Sequence, residues 1–278
     1  MSARLPWHNT VLRRLASQRA ENRLPAAILL DCPEGWGVDE LLIAAVCQIL
    51  EVTEQQSLTE FAHPDLFWAQ VDGAALKVEQ SRELISFATK TRQIAPRKVA
   101  AVPHAHLLNT NAANAMLKIL EEPPPATHIV LATSYRSRLL PTIRSRCQVY
   151  SVQRDVTSAL HWLQDQNQMV TPTEFAISGY APLRFVAGER FDIAGWVEQL
   201  GSERNRAACV KAVLEGDVLA ILGDWLRWIL WQQRQRPQRR QLAFAKELAE
   251  TRYNIEHSNA ANTRLLVERL TTYWQRIA

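Results

Sequence analysis

The sequence predicts an α/β unit with a parallel sheet, followed by an all-helical half. Three observations carry this. Short apolar and β-branched runs recur between helical patterns as far as about residue 153, and then cease. A glycine-bearing turn, Pro33-Glu34-Gly35-Trp36-Gly37, directly follows the first run. Beyond residue 153 the punctuation is Thr171-Pro172, Gly179, Pro182, Gly188, Gly195, Gly201, Gly216 and Gly223, with helical segments between. Strands alternating with helices give a parallel sheet, and breaker-separated helical segments without strand runs give an all-α region.

In chain order, the strands are expected at residues 27–30, 66–69, 98–102, 128–132 and 147–152, with a helix over 40–50 after the glycine turn. A further helix is marked by Ala112, Ala115, Met116 and Ile119 at i, i+3, i+4, i+7. Asn109 or Thr110 can cap its start, and Pro123-Pro124-Pro125 cannot continue it. The helical half divides near residues 195–202, giving expected domains 1–152, 153–195 and 196–278. The stretch 234–240 reads as a solvated loop between two tail helices. No internal repeat is present.

At 278 residues the chain exceeds the usual size of one hydrophobic core, and 47% apolar residues suffice to fill two or three. A net charge of +4 permits contact with nucleic acid but falls short of a strongly basic binding domain. Cys32, Cys47, Cys147 and Cys209 form no C-x-x-C pair, which argues against a zinc knuckle or a disulfide framework and for a reducing cytoplasm. Residues 1–9 lack a secretory pattern, and the apolar run 218–231 is interrupted by Asp224 and Arg227 and is too short to cross a bilayer. A soluble protein is expected.

The glycine turn sits where a phosphate-binding loop sits, between a strand and a helix. Such a loop needs a lysine for the β/γ oxygens and a hydroxyl for Mg²⁺. After Gly35 and Gly37, those positions hold Val38 and Asp39. Asp39 and Glu34 would repel phosphate more than a helix N-terminus attracts it. An ordinary βα connection also fits this turn. The strand at 98–102 should end in an acidic pair in a working NTPase, and Pro103-His104-Ala105 follows instead. His104 and His106 lack a third ligand nearby in sequence and read as loop or core histidines rather than metal ligands. By contrast, Arg146, between Ser145 and Cys147, precedes the last strand, where an arginine is suited to reach a neighbour's phosphate site; alone, it would equally be a surface ion-pair residue.

Four spaced segments carry a resemblance: residues 77–84 (KVEQSREL), 113–124 (ANAMLKILEEPP), 131–133 (LAT) and 143–147 (IRSRC), with His63-Pro64-Asp65 ahead of the second strand. Together they resemble the clamp-loader subunits of bacterial DNA polymerase III, most closely over residues 20–190. The resemblance implies an N-terminal AAA+ (P-loop-type) domain, a small helical lid and an all-α C-terminal collar. With the degenerate phosphate loop and missing acidic pair, the chain resembles the non-hydrolysing members of that family rather than the ATP-hydrolysing ones. The resemblance implies gamma/tau and delta subunits as partners, with the sliding clamp and primed DNA reached through the complex. It also implies Arg146 as an arginine finger acting in trans, with Ser145 and Cys147 as its motif companions. No cofactor is expected, and no ATPase or polymerase activity of the chain alone.

The family's four-cysteine zinc module has no counterpart in residues 51–62, so zinc is not expected. The lid arginine of active members would fall at Leu183, with Arg184 one residue off. The tail beyond residue 196 is shorter than in many members. Trp225, Trp228 and Trp231 form an apolar stripe, read as helical core or as packing between subunits. Arg234 to Arg240 is read as a solvated face or a contact to DNA phosphates. Two alternative functions stay open: an active ATPase motor subunit, which the missing lysine opposes, and a stand-alone DNA-binding regulator, which the weak net charge opposes.

Overall fold

The computed structural model describes residues 5–53, 63–70, 78–187, 191–258 and 262–277. Lys77, Gly188 and most of the segment where a zinc module was sought lie outside the described residues. The chain forms two units, the first ending at Trp162 and the second beginning at Leu163.

In the first unit the elements run α1 (Asn9–Ala20), β1 (Ala27–Asp31), α2 (Val38–Leu50), β2 (Leu66–Trp68), α3 (Val78–Thr89), β3 (Lys98–Val102), α4 (Thr110–Glu121), β4 (Thr127–Thr133), α5 (Pro141–Arg144) and β5 (Gln148–Ser151), and α6 (Val156–Asp165) follows. The five strands form one parallel sheet in the order β2-β3-β4-β1-β5. β1 lies between β4 and β5, with Leu29 opposite Leu131 on one side and Val149 on the other. All residues of β3 and β4 are buried, whereas β2 and most of β5, at the sheet edges, are partly exposed. Ala113, Met116 and Ile119 of α4 pack with Leu29, Ile129 and Leu131 in one core, where each large apolar side chain contributes about 1.5–3 kcal/mol.

Each expected strand is found to within one residue at either end. The Asn109 side chain accepts from the Ala112 N–H at 2.8 Å, which caps α4, and the prolines end it. α2 starts two residues earlier than expected because Gly37, at φ +83°, turns the chain directly into the helix.

The second unit contains α7 (Pro172–Ile177), α8 (Leu183–Val186), α9 (Ile193–Leu200), α10 (Arg206–Glu215), α11 (Val218–Gln235), α12 (Arg239–His257) and α13 (Thr263–Ile277), and no strand among the described residues. Its core joins Trp196 and Leu200 of α9 to Trp225, Phe244, Leu270 and Trp274. The expected domain edge at 195/196 falls inside α9. The 234–240 loop is corrected: only residues 236–238 connect α11 to α12, and the flanking Arg and Gln residues lie on the helices. Arg and Gln sustain a helix well, so Pro237, and not charge, sets the break. All seven residues 234–240 are exposed. Along the tryptophan stripe, Trp225 is fully buried, and Trp228 and Trp231 are half-buried. No described helix is long and apolar enough to cross a membrane.

Candidate functional site: a filled phosphate loop and a tethered arginine

In a parallel sheet the connection after each strand emerges at one end and the connection before it at the other. Gly35 to Asp39 follow β1 at its C-terminal end, where Asp31 pairs with Ser151. Arg146 precedes β5 at the opposite end, where Ile28 pairs with Gln148. The two sets of expected site residues therefore lie at opposite ends of the sheet, and the structure does not bring them together.

The glycine loop is closed by its own chain. Gly35 (φ +73°) and Gly37 (φ +83°) adopt left-handed backbone that other residues resist. A Cβ on Gly37 would collide with the Leu5 Cδ1 methyl and with Glu40. The Trp36 carbonyl accepts from the Trp7 Nε1–H at 2.8 Å and from His8 Nε2 at 2.7 Å. Trp36 is fully buried, and the Trp7 ring meets it edge to face at 5.1 Å and Trp162 at 5.3 Å. Burial lowers the His8 pKa to about 4, so the ring is neutral and carries its proton on Nε2 to make this bond. A working loop presents N–H groups to phosphate. Here residues 5–8 hold one of the loop's carbonyls and pack against its second glycine.

The polar side chains around the loop also pair with one another. Asp39, at the hydroxyl position, faces His104 Nε2 at 3.4 Å, and its carboxylate raises the His104 pKa. His106 Nδ1 lies 3.0 Å from Thr133 Oγ1, its ring edge-on to Tyr135 at 4.9 Å, and burial lowers its pKa to about 4. The Tyr135 hydroxyl donates to Glu34 Oε2 at 2.6 Å. Glu34, Asp39, His104, His106, Thr133 and Tyr135 thus bind the loop to the ends of β3 and β4. Both histidines lie in the connection after β3, within this network.

Arg146 sits differently. α5 begins at Pro141, where the missing N–H costs nothing, and Ile143 anchors it in the core. Ser145 Oγ donates to the Thr142 carbonyl at 3.2 Å. Cys147 is buried, and burial pushes its thiol up to about 12, so it packs and does not react. The Arg146 guanidinium remains 29% exposed, with Nε donating to Glu121 Oε1 at 2.7 Å, Nη2 paired to the same oxygen, and Nη1 donating to the Thr142 carbonyl at 2.9 Å.

Two other motif residues have structural work. Asp65 is fully buried and accepts N–H groups of Gln93, Ile94 and Ala95 at 2.7, 2.7 and 2.8 Å. Burial raises its pKa, but the three bonds together outweigh this and leave it lowered. In the second unit, both prongs of Arg184 bind Asp224, at 2.8 and 2.9 Å, and Arg227 joins the same carboxylate.

A parallel five-stranded sheet with a glycine turn after its first strand makes the first unit an α/β domain of the kind found in nucleotide-binding subunits. The structure is similar over 98% of this chain and 99% of the other to a DNA polymerase III gamma subunit-related protein of Thermotoga maritima, at TM-score 0.61 and 16% identity. A family model described as DNA polymerase III, delta subunit, matches residues 7–155. The chain is 31% identical over 245 residues to a delta-prime subunit of Pseudomonas aeruginosa, covering 79% of this chain and 74% of that one. It is 29% identical to a delta-prime subunit of Yersinia pestis over 97% of this chain and 95% of that one. The chain belongs to the delta-prime family of DNA polymerase III subunits.

Proposed function

We propose that this chain is a non-hydrolysing clamp-loader subunit that assembles with gamma/tau and delta subunits to load the sliding clamp onto primed DNA. Its Arg146 acts as a finger at a neighbour's ATP site, with Ser145 and Cys147 shaping the turn that presents it. The observation that carries the reading is the separation of the two sites along the sheet. The loop at Gly35, Gly37, Val38 and Asp39 is filled by residues 5–8, while Arg146 lies at the far end, part-exposed. An open ring uses heterologous contacts, so opposite faces of a subunit meet different neighbours. An arginine presented across such a contact stabilises charge on the transferring phosphate, worth about 10³ to 10⁵ in rate.

In this reading residues 1–152 form the AAA+ domain with a degenerate phosphate loop, 153–195 a lid and 196–278 a collar, and the protein works in the cytoplasm. Arg184, next to the position where active members carry the lid arginine, is committed to Asp224. The test is co-purification with gamma/tau and delta subunits followed by mass measurement of the complex. A single species containing all three is expected. A chain that stays alone and binds duplex DNA in a salt-dependent way supports the DNA-binding alternative instead.

A further inference from the structure

The Arg146 guanidinium carries five N–H donors in a rigid plane. The Nε–H donates to one carboxylate oxygen of Glu121, with Nη2 ion-paired to the same oxygen, and Nη1 donates to the Thr142 carbonyl. Among the described residues both terminal nitrogens therefore keep N–H groups beyond these bonds. Two parallel N–H groups match the spacing of phosphate oxygens.

Glu121 is the last residue of α4, and α4 is among the best-anchored elements of the first unit. Ala112, Ala113, Met116, Ile119 and Leu120 are all buried on its sheet-facing side. Ile143, three residues before Arg146, lies in the same core. The carboxylate and the turn that carries Arg146 are thus both fixed to the sheet. A long arginine otherwise loses side-chain freedom when it is ordered.

We propose that Glu121 is the positioning residue for Arg146: it holds the inner edge of the guanidinium in cis so that the outer edge faces a neighbour's phosphate with its orientation already set. This rests on the reading of Arg146 as a trans-acting finger. The pair is part-exposed, so its contribution to folding is small, as for other surface ion pairs. Its effect lies in orientation, which a catalytic contact rewards strongly.

The test uses the complex reconstituted with gamma/tau and delta subunits and reads ATP hydrolysis. Glu121→Ala is expected to lower kcat at the site Arg146 serves by about tenfold with KM unchanged, the scale on which misorientation acts. Glu121→Gln, whose amide oxygen still accepts the Nε–H, is expected to restore most of that loss. The double variant Glu121→Ala/Arg146→Ala is expected to be no slower than Arg146→Ala alone, because one residue acts through the other. Slowing by Arg146→Ala but not by Glu121→Ala overturns the positioning role and leaves the finger reading standing. So does a double variant slower than Arg146→Ala. An unchanged rate for Arg146→Ala overturns the finger reading itself. Where a variant does not assemble, the Arg146 Nε–H resonance of the isolated chain decides: slow solvent exchange in the unmutated chain, lost in Glu121→Ala, is expected, and fast exchange in both overturns the tether.

Discussion

The two ends of the sheet carry the same kind of element, a tight turn between strand and helix, and treat it in opposite ways. After β1 the loop's acceptors are turned to internal partners: the Trp36 carbonyl to Trp7 and His8, Asp39 to His104, Glu34 to Tyr135. Before β5 the cation is tied on one side only and the rest of its fork is left facing out. Electrostatic stabilisation of a phosphoryl group needs a preorganised cation and an opening to the ligand. The first end lacks both, and the second has both but no phosphate site of its own. On the function proposed above, the difference teaches that loss of a site is more than loss of a lysine: Leu5, Trp7 and His8 pack on the glycine loop and hold its Trp36 carbonyl.

The largest effect that could break this contrast is on the far end. Arg146→Ala in the reconstituted complex is expected to slow hydrolysis at the neighbouring site by about 10³-fold or more, while circular dichroism and assembly stay unchanged. Next comes the plug. Trp7→Ala removes the indole from between Trp36 and Trp162 and leaves the Trp36 carbonyl short of a donor, so urea unfolding should show a loss of about 3–5 kcal/mol. A loss below 1 kcal/mol would mean the segment merely lies against the loop.

Acid sharpens the same point. His8 has a folded pKa of about 4, below its unfolded value of 6.5, so its contribution is present above pH 6.5 and is lost as the pH falls through 4. The loss from this residue is on the order of 3 kcal/mol at most. His106 shifts in the same direction, whereas His104 is raised by Asp39, so its contribution is present below pH 6.5 and fades as the pH rises through its folded pKa. Denaturation from pH 7 to 4 should steepen accordingly, and His8→Gln, which keeps a donor to Trp36, should flatten the curve. The smallest effect is Asp39→Asn. It should return the His104 pKa toward 6.5 in an NMR titration and change stability by about 0.5 kcal/mol or less.

Much of this was legible in the sequence. The five strands are apolar runs whose identity depends on local composition, and the cap of α4 at Asn109 depends on a residue three positions away. What stayed hidden is what depends on distant pairings. Trp7 and Trp36 are 29 residues apart, Arg146 and Glu121 are 25, and Arg184 and Asp224 are 40, and no periodicity links any of them. Leu5, Trp7 and His8 gave only a faint signal, an apolar pair just ahead of α1. The 234–240 stretch is shorter as a loop than its composition suggests, because Arg and Gln continue both helices and only Pro237 has the geometry to break them.

Calorimetric titration of the isolated chain with Mg²⁺–ATP tests the closed loop most directly, run beside the Val38→Lys/Asp39→Thr variant. No binding heat is expected from either protein, because residues 5–8 fill the cradle whatever stands at 38 and 39. Micromolar, Mg²⁺-dependent binding by the unmutated chain would contradict the account.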